Sequence, residues 1–486
     1  MSTFIDWFKV DTYCQKSFEK VFKYRKNSIE KVSLLGYTRI NKGGETVMLK
    51  RKIEHKLIDW KNTQNHKPLI IKGCRQCGKT FSVLDFAKKN YKNVVYLNFF
   101  ENPDYASVFA GSLEVDTIVM MLSALLGSEA VFESGNTVLI LDEIQECPEA
   151  RTALKFFRID GRYDVIGTGS LLGVKGYGKE PKSIPVGSET VIDMYPLDFE
   201  EFLWANGIAV PVIDMLRNCL QKETPVPAAL HNRMKQLLLQ YVVVGGMPDA
   251  VQTFVDTKQM DEVLQIQRDI VRSYEDDMVK YAEKKDKSRI KECFQSIPKQ
   301  LSKENKKFQY AVVKKGSTAS KYSGSLQWIE DAGIIVRCYN LSITELPLDG
   351  NAEENIFKVY MRDCGLFVSM LEDGTQYDIL QGNLFGYKGA IFENLIADIF
   401  GKMGRKLYYF HKDSGLEVDF VIRYKGQCTL VEVKASTGNT KSTKTILRHP
   451  EKYHVSQAIK LGDYNVGRTD QLLTLPLYMA FLLQEL

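Results

Sequence analysis

The sequence predicts an α/β protein in three parts: a parallel sheet covered by helices on both faces, a helical middle region, and a second α/β domain towards the C-terminal end. Three observations carry this. An apolar run, a glycine-rich loop and a helix-spaced segment follow one another in "KPLIIKGCRQCGKTFSVLDFAKKN". Further apolar strands come after it without polar alternation, as in parallel sheets buried on both faces. Near the end, "EVDFVIRYKGQCTLVEVKAS" reads as two strands around a tight turn.

A chain of 486 residues allows two to four domains. Its composition, 44% hydrophobic and 26% charged, suits a globular protein, and a net charge of +5 does not by itself imply nucleic acid. No apolar segment is long enough to cross a bilayer. The first 20 residues carry charges and lack an apolar core with a cleavage site. A cytoplasmic protein without a membrane partner is expected. The nine cysteines (14, 74, 77, 147, 219, 293, 338, 364 and 428) are scattered and odd in number, which suits reduced, buried thiols.

The glycine loop comes first. Gly73, Cys74, Arg75, Gln76, Cys77, Gly78, Lys79 and Thr80 match G-x-x-x-x-G-K-[ST] between a strand and a helix. In such a loop the backbone N–H groups and the helix N-terminus point at phosphates. The lysine reaches the β- and γ-phosphates and the Thr hydroxyl ligates Mg²⁺. These eight residues are the expected nucleotide-binding set, with ATP and Mg²⁺ as cofactors. Cys74 and Cys77 also form a C-x-x-C. One pair supplies only two of four zinc ligands. A redox dithiol would sit beside a strand and helix too. Both cysteines occupy free positions of a complete phosphate loop, which favours the phosphate reading and marks the pair as the place where oxidation would strike.

The acidic partner follows in "NTVLILDEIQ". Val138–Leu141 form an apolar strand. Asp142 is expected to hold Mg²⁺ through its water shell, and Glu143 to polarise the attacking water. "NVVYLNFFENPD" supplies a strand at Val94–Asn98, and "RYDVIGTGSLLG" one ending at Thr168–Ser170. Ser170 is the candidate for contact with the γ-phosphate or the water, with Thr168 the alternative and a satisfied turn the plainer reading. The catalytic set is therefore Glu143, Lys79 and Ser170. Arg151, Arg158 and Arg162 follow the acidic pair, but none has the pattern of an arginine finger. Pro196–Ala205, "PLDFEEFLWA", reads as an amphipathic helix with its acids on a solvated face. This domain is expected at 31–210, after a helical extension at 1–30.

The middle region, 211–345, is helical. "NRMKQLLLQYVVVGGMPDAV" stops at Gly245, Gly246 and Pro248. A helix follows at Met260–Tyr274; after it, two more helices and a strand at Ile334–Cys338, with a basic sequence between, make a winged-helix pattern. The lysine-rich "KENKKFQYAVVKKGSTASKY" is a candidate contact for a DNA backbone. A plain solvated surface or a protein dock fits it as well.

The last module, 346–486, carries a second signal. Glu393 lies on the helix "IFENLIADIFGKMG". If Lys425–Gly426 is a two-residue turn, Tyr424 faces Gln427, Asp419 faces Glu432, and Lys434 shares their face. Facing carboxylates repel unless something offsets them. A second Mg²⁺ or Mn²⁺ held by Glu393, Asp419 and Glu432, with Lys434 orienting water, would do so and would hydrolyse a phosphodiester. Residues 400–460 hold 12 Lys and Arg against five Asp and Glu, which favours phosphate contacts there. The alternative is an ionic cluster in a domain that no longer cuts.

The chain resembles the prokaryotic family of AAA-type (AAA_14) ATPases with a C-terminal domain of unknown function, DUF4143. The resemblance rests on "GCRQCGKT", "VLILDEIQ", "GTGSLLG", "MYPLDFEEFL", "GGMPDAV", "FKVYMRDCGLF", "GAIFENLI" and "EVDFVI…LVEVKAS". It implies ATP-binding roles for Gly78, Lys79, Thr80, Asp142 and Glu143, and a place for Gly246–Pro248 near the nucleotide. It also implies a PD-(D/E)xK, restriction-endonuclease-like core with Asp419 as its aspartate and Glu432-Val433-Lys434 as its E-x-K. Cys74 stands where the family often has proline, and Ser188 where it has arginine. The expected function is a Mg²⁺-dependent ATPase whose nucleotide state repositions the winged-helix and nuclease-like domains to bind DNA or a protein partner. An ATP-regulated nuclease and a non-catalytic nucleotide-gated scaffold are the alternatives. Oligomeric state and ATP-versus-GTP preference have no signal in the sequence.

Overall fold

Five strands form one parallel sheet. β1 (Leu69–Gly73), β2 (Asn93–Asn98), β3 (Thr137–Asp142), β4 (Asp164–Ser170) and β5 (Thr190–Met194) lie in the order β2-β3-β4-β1-β5. The computed structural model describes residues 48–170, 187–281, 286–303, 306–383, 388–435 and 440–484. The expected helical extension at 1–30 lies outside them, and Lys50–Leu486 form one compact unit.

Alternate residues of a strand face opposite sides. In β3, Leu139 and Leu141 pack with Val95, Leu97 and Phe157, whereas Val138 and Ile140 pack with Leu57, Val83 and Phe86. Both faces are covered, so the strand carries no polar alternation. Burying each such side chain contributes about 1.5–3 kcal/mol. The sequence reading missed β5, a half-exposed edge strand without a continuous apolar run. It runs close to the loop: a Cβ on Gly73 would lie 2.3 Å from the Met194 carbonyl oxygen, so only glycine fits there.

The expected helix after Pro196 spans Phe199–Ala205, capped by Asp198 in a capping box with Glu201. Its acids do not form a solvated face. Glu201 is buried against the Arg51 guanidinium and the Lys52 backbone N–H, and Glu200 pairs with Lys52 and Arg217. Arg51 and Lys52 stand some 150 residues earlier in the chain, out of reach of any local pattern.

The middle region contains helices at Ala228–Val244, Pro248–Thr257, Met260–Tyr281 (the lid helix), Lys287–Leu301, Tyr310–Val313 and Ala319–Asp331 (the Trp328 helix). The lid helix runs past the expected end at Tyr274. β6 (Ile335–Leu341) and β7 (Ala352–Met361) then form an antiparallel pair, as a wing would. They are not a free wing. The open edge of β6 pairs with β8 (Leu407–His411), which joins the hairpin to the C-terminal sheet.

That sheet has eight strands in the order β12-β13-β11-β10-β9-β8-β6-β7, with β9 (Glu417–Tyr424), β10 (Gln427–Val433), β11 (Gln457–Gly462), β12 (Gly467–Thr469) and β13 (Leu472–Pro476). The hairpin register is the one expected: Gln427 pairs with Tyr424 and Val431 with Phe420. Lys425 and Gly426 both have positive φ, 50° and 75°, as a two-residue primed turn requires.

Candidate functional site

The phosphate loop sits between β1 and the helix Lys79–Asn90. Gln76 and Gly78 adopt φ of 62° and 95°, which wraps the backbone around the helix N-terminus. Lys79 is buried and donates to the carbonyls of Gly73 at 3.2 Å and Cys74 at 2.9 Å. Burial opposes its charge, but Cys77, Glu143, Cys74 and Asp142 hold its pKa above the ordinary value.

β3 delivers Asp142 to the same end of the sheet. Its carboxylate accepts the Thr80 hydroxyl at 3.0 Å, the Tyr96 hydroxyl at 2.8 Å and the Thr168 hydroxyl. The Thr80 and Asp142 oxygens, converging beside Lys79, form the donor set that suits Mg²⁺. Glu143 turns out of the strand at φ 52°, and its carboxylate accepts the Gln145 amide. Burial and the adjacent Asp142 raise the Glu143 pKa, against the pull of Lys79. The two candidates on β4 divide: Thr168 holds Asp142, and Ser170 lines the cavity above the loop.

That cavity is walled by Arg75, Lys79, Glu143, Ser170, Tyr274 and Trp328, among others, and encloses about 60 Å³. Arg75 forms an ion pair with Asp277, and the Tyr274 hydroxyl donates to the Arg75 carbonyl at 3.2 Å. The lid helix therefore closes directly onto the loop. Tyr96, Tyr274, Asp277 and Trp328 carry no motif and were missed by sequence reasoning. Gly246 does not line this cavity. Its N–H donates to Asp363 at 2.7 Å, and its carbonyl accepts the Leu197 N–H at 2.7 Å. The three arginines considered for a finger are engaged within the chain: Arg151 with Glu189, Arg158 with the Gly187 carbonyl, and Arg162 with Asp160 and Asp116.

The C-terminal residues Glu393, Asp419, Glu432 and Lys434 do converge, but as an ionic nest. Glu393 is held by Lys306 and accepts the Tyr360 hydroxyl at 3.2 Å. Lys358, fully buried, stands 3.9 Å from Glu393 and 2.8 Å from Glu417. Glu432 pairs with Lys434 at 2.6 Å and accepts the Thr443 hydroxyl at 2.6 Å. Asp419 accepts the Val433 N–H at 2.7 Å. Burial, Glu393 and Glu432 push Asp419 up to about 7. Lysines stand where a cation was expected, and no group of three or more ligating side chains fit for a metal occurs among the described residues. The donors do not fit the second Mg²⁺ or Mn²⁺.

Residues 65–203 match the family model described as an AAA domain (AAA_14). The chain carries an AAA-type P-loop ATPase domain. Its enzyme class is therefore that of the ATP hydrolases, using ATP and Mg²⁺ as AAA domains do. Beyond the ATPase domain, residues 235–377 match a domain of unknown function, DUF8612, and residues 388–478 match another, DUF4143. A comparison with curated proteins returns no match. Among solved structures, a Walker-type ATPase of Pyrococcus abyssi overlaps at 13% identity and TM-score 0.41, covering 68% of this chain and 97% of its own. The Aeropyrum pernix ORC2 protein overlaps at 13% identity and TM-score 0.34, covering 69% and 95%. Overlaps this loose assign no function. Among the described residues no helix is long and apolar enough to cross a membrane.

Proposed function

We propose that the protein is an ATP-driven conformational switch. The observation that carries this reading is the closure of the lid helix and the Trp328 helix over the phosphate loop. A cavity of about 60 Å³ is well below the several hundred Å³ of a small-molecule site. Nucleotide entry must therefore part Asp277 from Arg75 and move Tyr274 and Trp328. Gly78, Lys79 and Thr80 would hold the phosphates, Thr80 and Asp142 the Mg²⁺, and Glu143 would take a proton from the attacking water. Mg²⁺, when bound, supplies charge neutralisation on the phosphate oxygens.

The movement has a path outward. Gly246 bonds both Leu197 of the ATPase domain and Asp363. Lys402, on the helix Lys388–Lys402, bonds the Leu197 carbonyl, the Tyr241 hydroxyl and Asp398. This buried junction ties the nucleotide domain, the helical region and the DUF4143 domain together. Gln267 on the lid helix donates to the Val243 and Val244 carbonyls at 2.7 and 2.9 Å, just before Gly246, so a displaced lid helix would act on this junction.

DNA is the partner favoured for the moving parts. Lys315, Ser320, Lys321, Ser323 and Gln327 are exposed on and before the Trp328 helix, the element that also walls the nucleotide cavity. Cleavage is not part of the proposal, because lysines occupy the C-terminal nest. The test is Mg²⁺-dependent ATP turnover by the full chain with and without linear duplex DNA, reading plasmid integrity in the same tubes. Turnover that DNA stimulates, with the plasmid intact, is expected. Absence of ATP turnover would sink the switch. Turnover indifferent to DNA would sink the DNA partner and favour a protein one, and metal-dependent nicking would restore the nuclease.

A further inference from the structure

The phosphate loop contains a dithiol that the ATPase chemistry does not use. Cys74 and Cys77 are three residues apart and buried in the same apolar cluster, and each is the strongest influence on the other's titration. Cys77 Sγ also lies 3.6 Å from the Met194 carbonyl oxygen, and a Cβ on Gly73 would stand 2.9 Å from it. Cys77 is thus wedged between the loop and the end of β5. Two cations flank it. Arg51 donates to the Cys77 carbonyl at 3.0 Å, and Lys79 donates to the Cys74 carbonyl at 2.9 Å.

We propose that Cys74 and Cys77 are an oxidation site, at which a peroxide forms a disulfide within the phosphate loop and lowers its affinity for nucleotide. The affinity part rests on the ATP reading above. The chemistry balances. The Cys77 thiolate attacks one peroxide oxygen, the O–O bond breaks, and hydroxide leaves to take up a proton as water. The Cys74 thiol then attacks the resulting sulfenic sulfur, the S–S bond forms, and a second water leaves. Two thiols lose two electrons, and one peroxide is reduced to two waters.

The surroundings favour this site over Cys293, Cys338, Cys364 and Cys428. The neighbouring Cys74, with Lys79 and Arg51, lowers Cys77 to about 6 against the effect of burial. Burial instead pushes Cys293, Cys338, Cys364 and Cys428 up. A thiolate is the reactive form. Both thiols are buried, which selects a water-sized oxidant over a bulky disulfide. Bridging residues three apart also restrains Arg75 and Gln76, whose backbone N–H groups must turn towards a phosphate.

The experiment uses the full chain, reduced and then treated with hydrogen peroxide. An unreduced digest is mapped by mass spectrometry, and a fluorescent ATP analogue is titrated before and after. A Cys74–Cys77 cross-link is expected, with a loss of affinity of about tenfold or more, reversed by dithiothreitol. In Cys74→Ser, compared with its own reduced state, the loss should vanish. Absence of the cross-link when exposed Met120 is already oxidised would overturn the proposal. So would a cross-link without loss of affinity, or an equal loss in Cys74→Ser. Reduced protein that binds no analogue would sink the ATP reading instead, and the cross-link map, which needs no nucleotide, would still decide the oxidation site.

Discussion

Asp142 and Glu143 are neighbours in sequence with opposite surroundings. Asp142 takes three hydroxyl donors, from Thr80, Tyr96 and Thr168, whereas the Glu143 carboxylate is turned by a positive φ into the loop cavity. Glu143→Gln keeps the shape and removes the base. We expect the variant to bind ATP within a few-fold of wild type but to turn it over about 100-fold more slowly, read by nucleotide titration and phosphate release. Unchanged turnover would assign the base elsewhere. The P-loop and the Asp-Glu pair were legible in the sequence because their chemistry needs fixed spacing. Tyr96 and Tyr274 were not, since a tyrosine reaching a carboxylate or a carbonyl from another element leaves no local pattern.

At the scale of elements, the two junctions differ in how they tolerate change. Gly246 has no room for a side chain: a Cβ would lie 2.0 Å from the Leu197 carbonyl oxygen. Among the described residues, Lys402 is the ammonium that pairs with both buried Asp363 and Asp398, at 3.6 and 2.9 Å. Lys402→Met would leave those carboxylates without their cation, and a loss of about 3–5 kcal/mol is expected in urea unfolding. The hairpin β9–β10 makes the reverse case. Asp419 is pushed up to about 7 by burial, Glu393 and Glu432, so its charge is unfavourable in the fold. Asp419→Asn should raise the unfolding midpoint under mildly alkaline conditions and leave plasmid DNA as intact as wild type does. A fall in stability together with lost cleavage would return Asp419 to the role of metal ligand. The hairpin register was readable because a two-residue turn and a period of two fix it by arithmetic. The lysines that fill the nest were not, because Lys306 comes from the segment assigned to the middle region and Lys358 lies on β7, outside the helix and hairpin that carried the reading.

At the scale of the molecule, the buried junction makes stability depend on pH. Burial and Asp363 push Asp398 up to about 7 against the pull of Lys402. The folded chain then holds a proton that the unfolded chain has released. The stability this adds is complete below the ordinary carboxylate range and is lost as pH rises through about 7. The urea midpoint should therefore fall between about pH 5 and about pH 8, and Asp398→Asn should flatten part of that slope. An unchanged slope in the variant would remove Asp398 from the account.

The sequence by itself determined the nucleotide loop, the parallel sheet, the helical middle and the C-terminal hairpin, because each is written in local spacing: a glycine pattern, an apolar run, a helical period, a two-residue turn. Only the tertiary structure decided how these parts meet. It laid the lid helix on the loop through Arg75 and Asp277, joined the wing strands to the C-terminal sheet through β6 and β8, and filled the carboxylate nest with Lys306 and Lys358. Ion pairs and strand edges close between residues tens to hundreds of positions apart. Their partners are chosen by packing in three dimensions, and no local pattern records that choice.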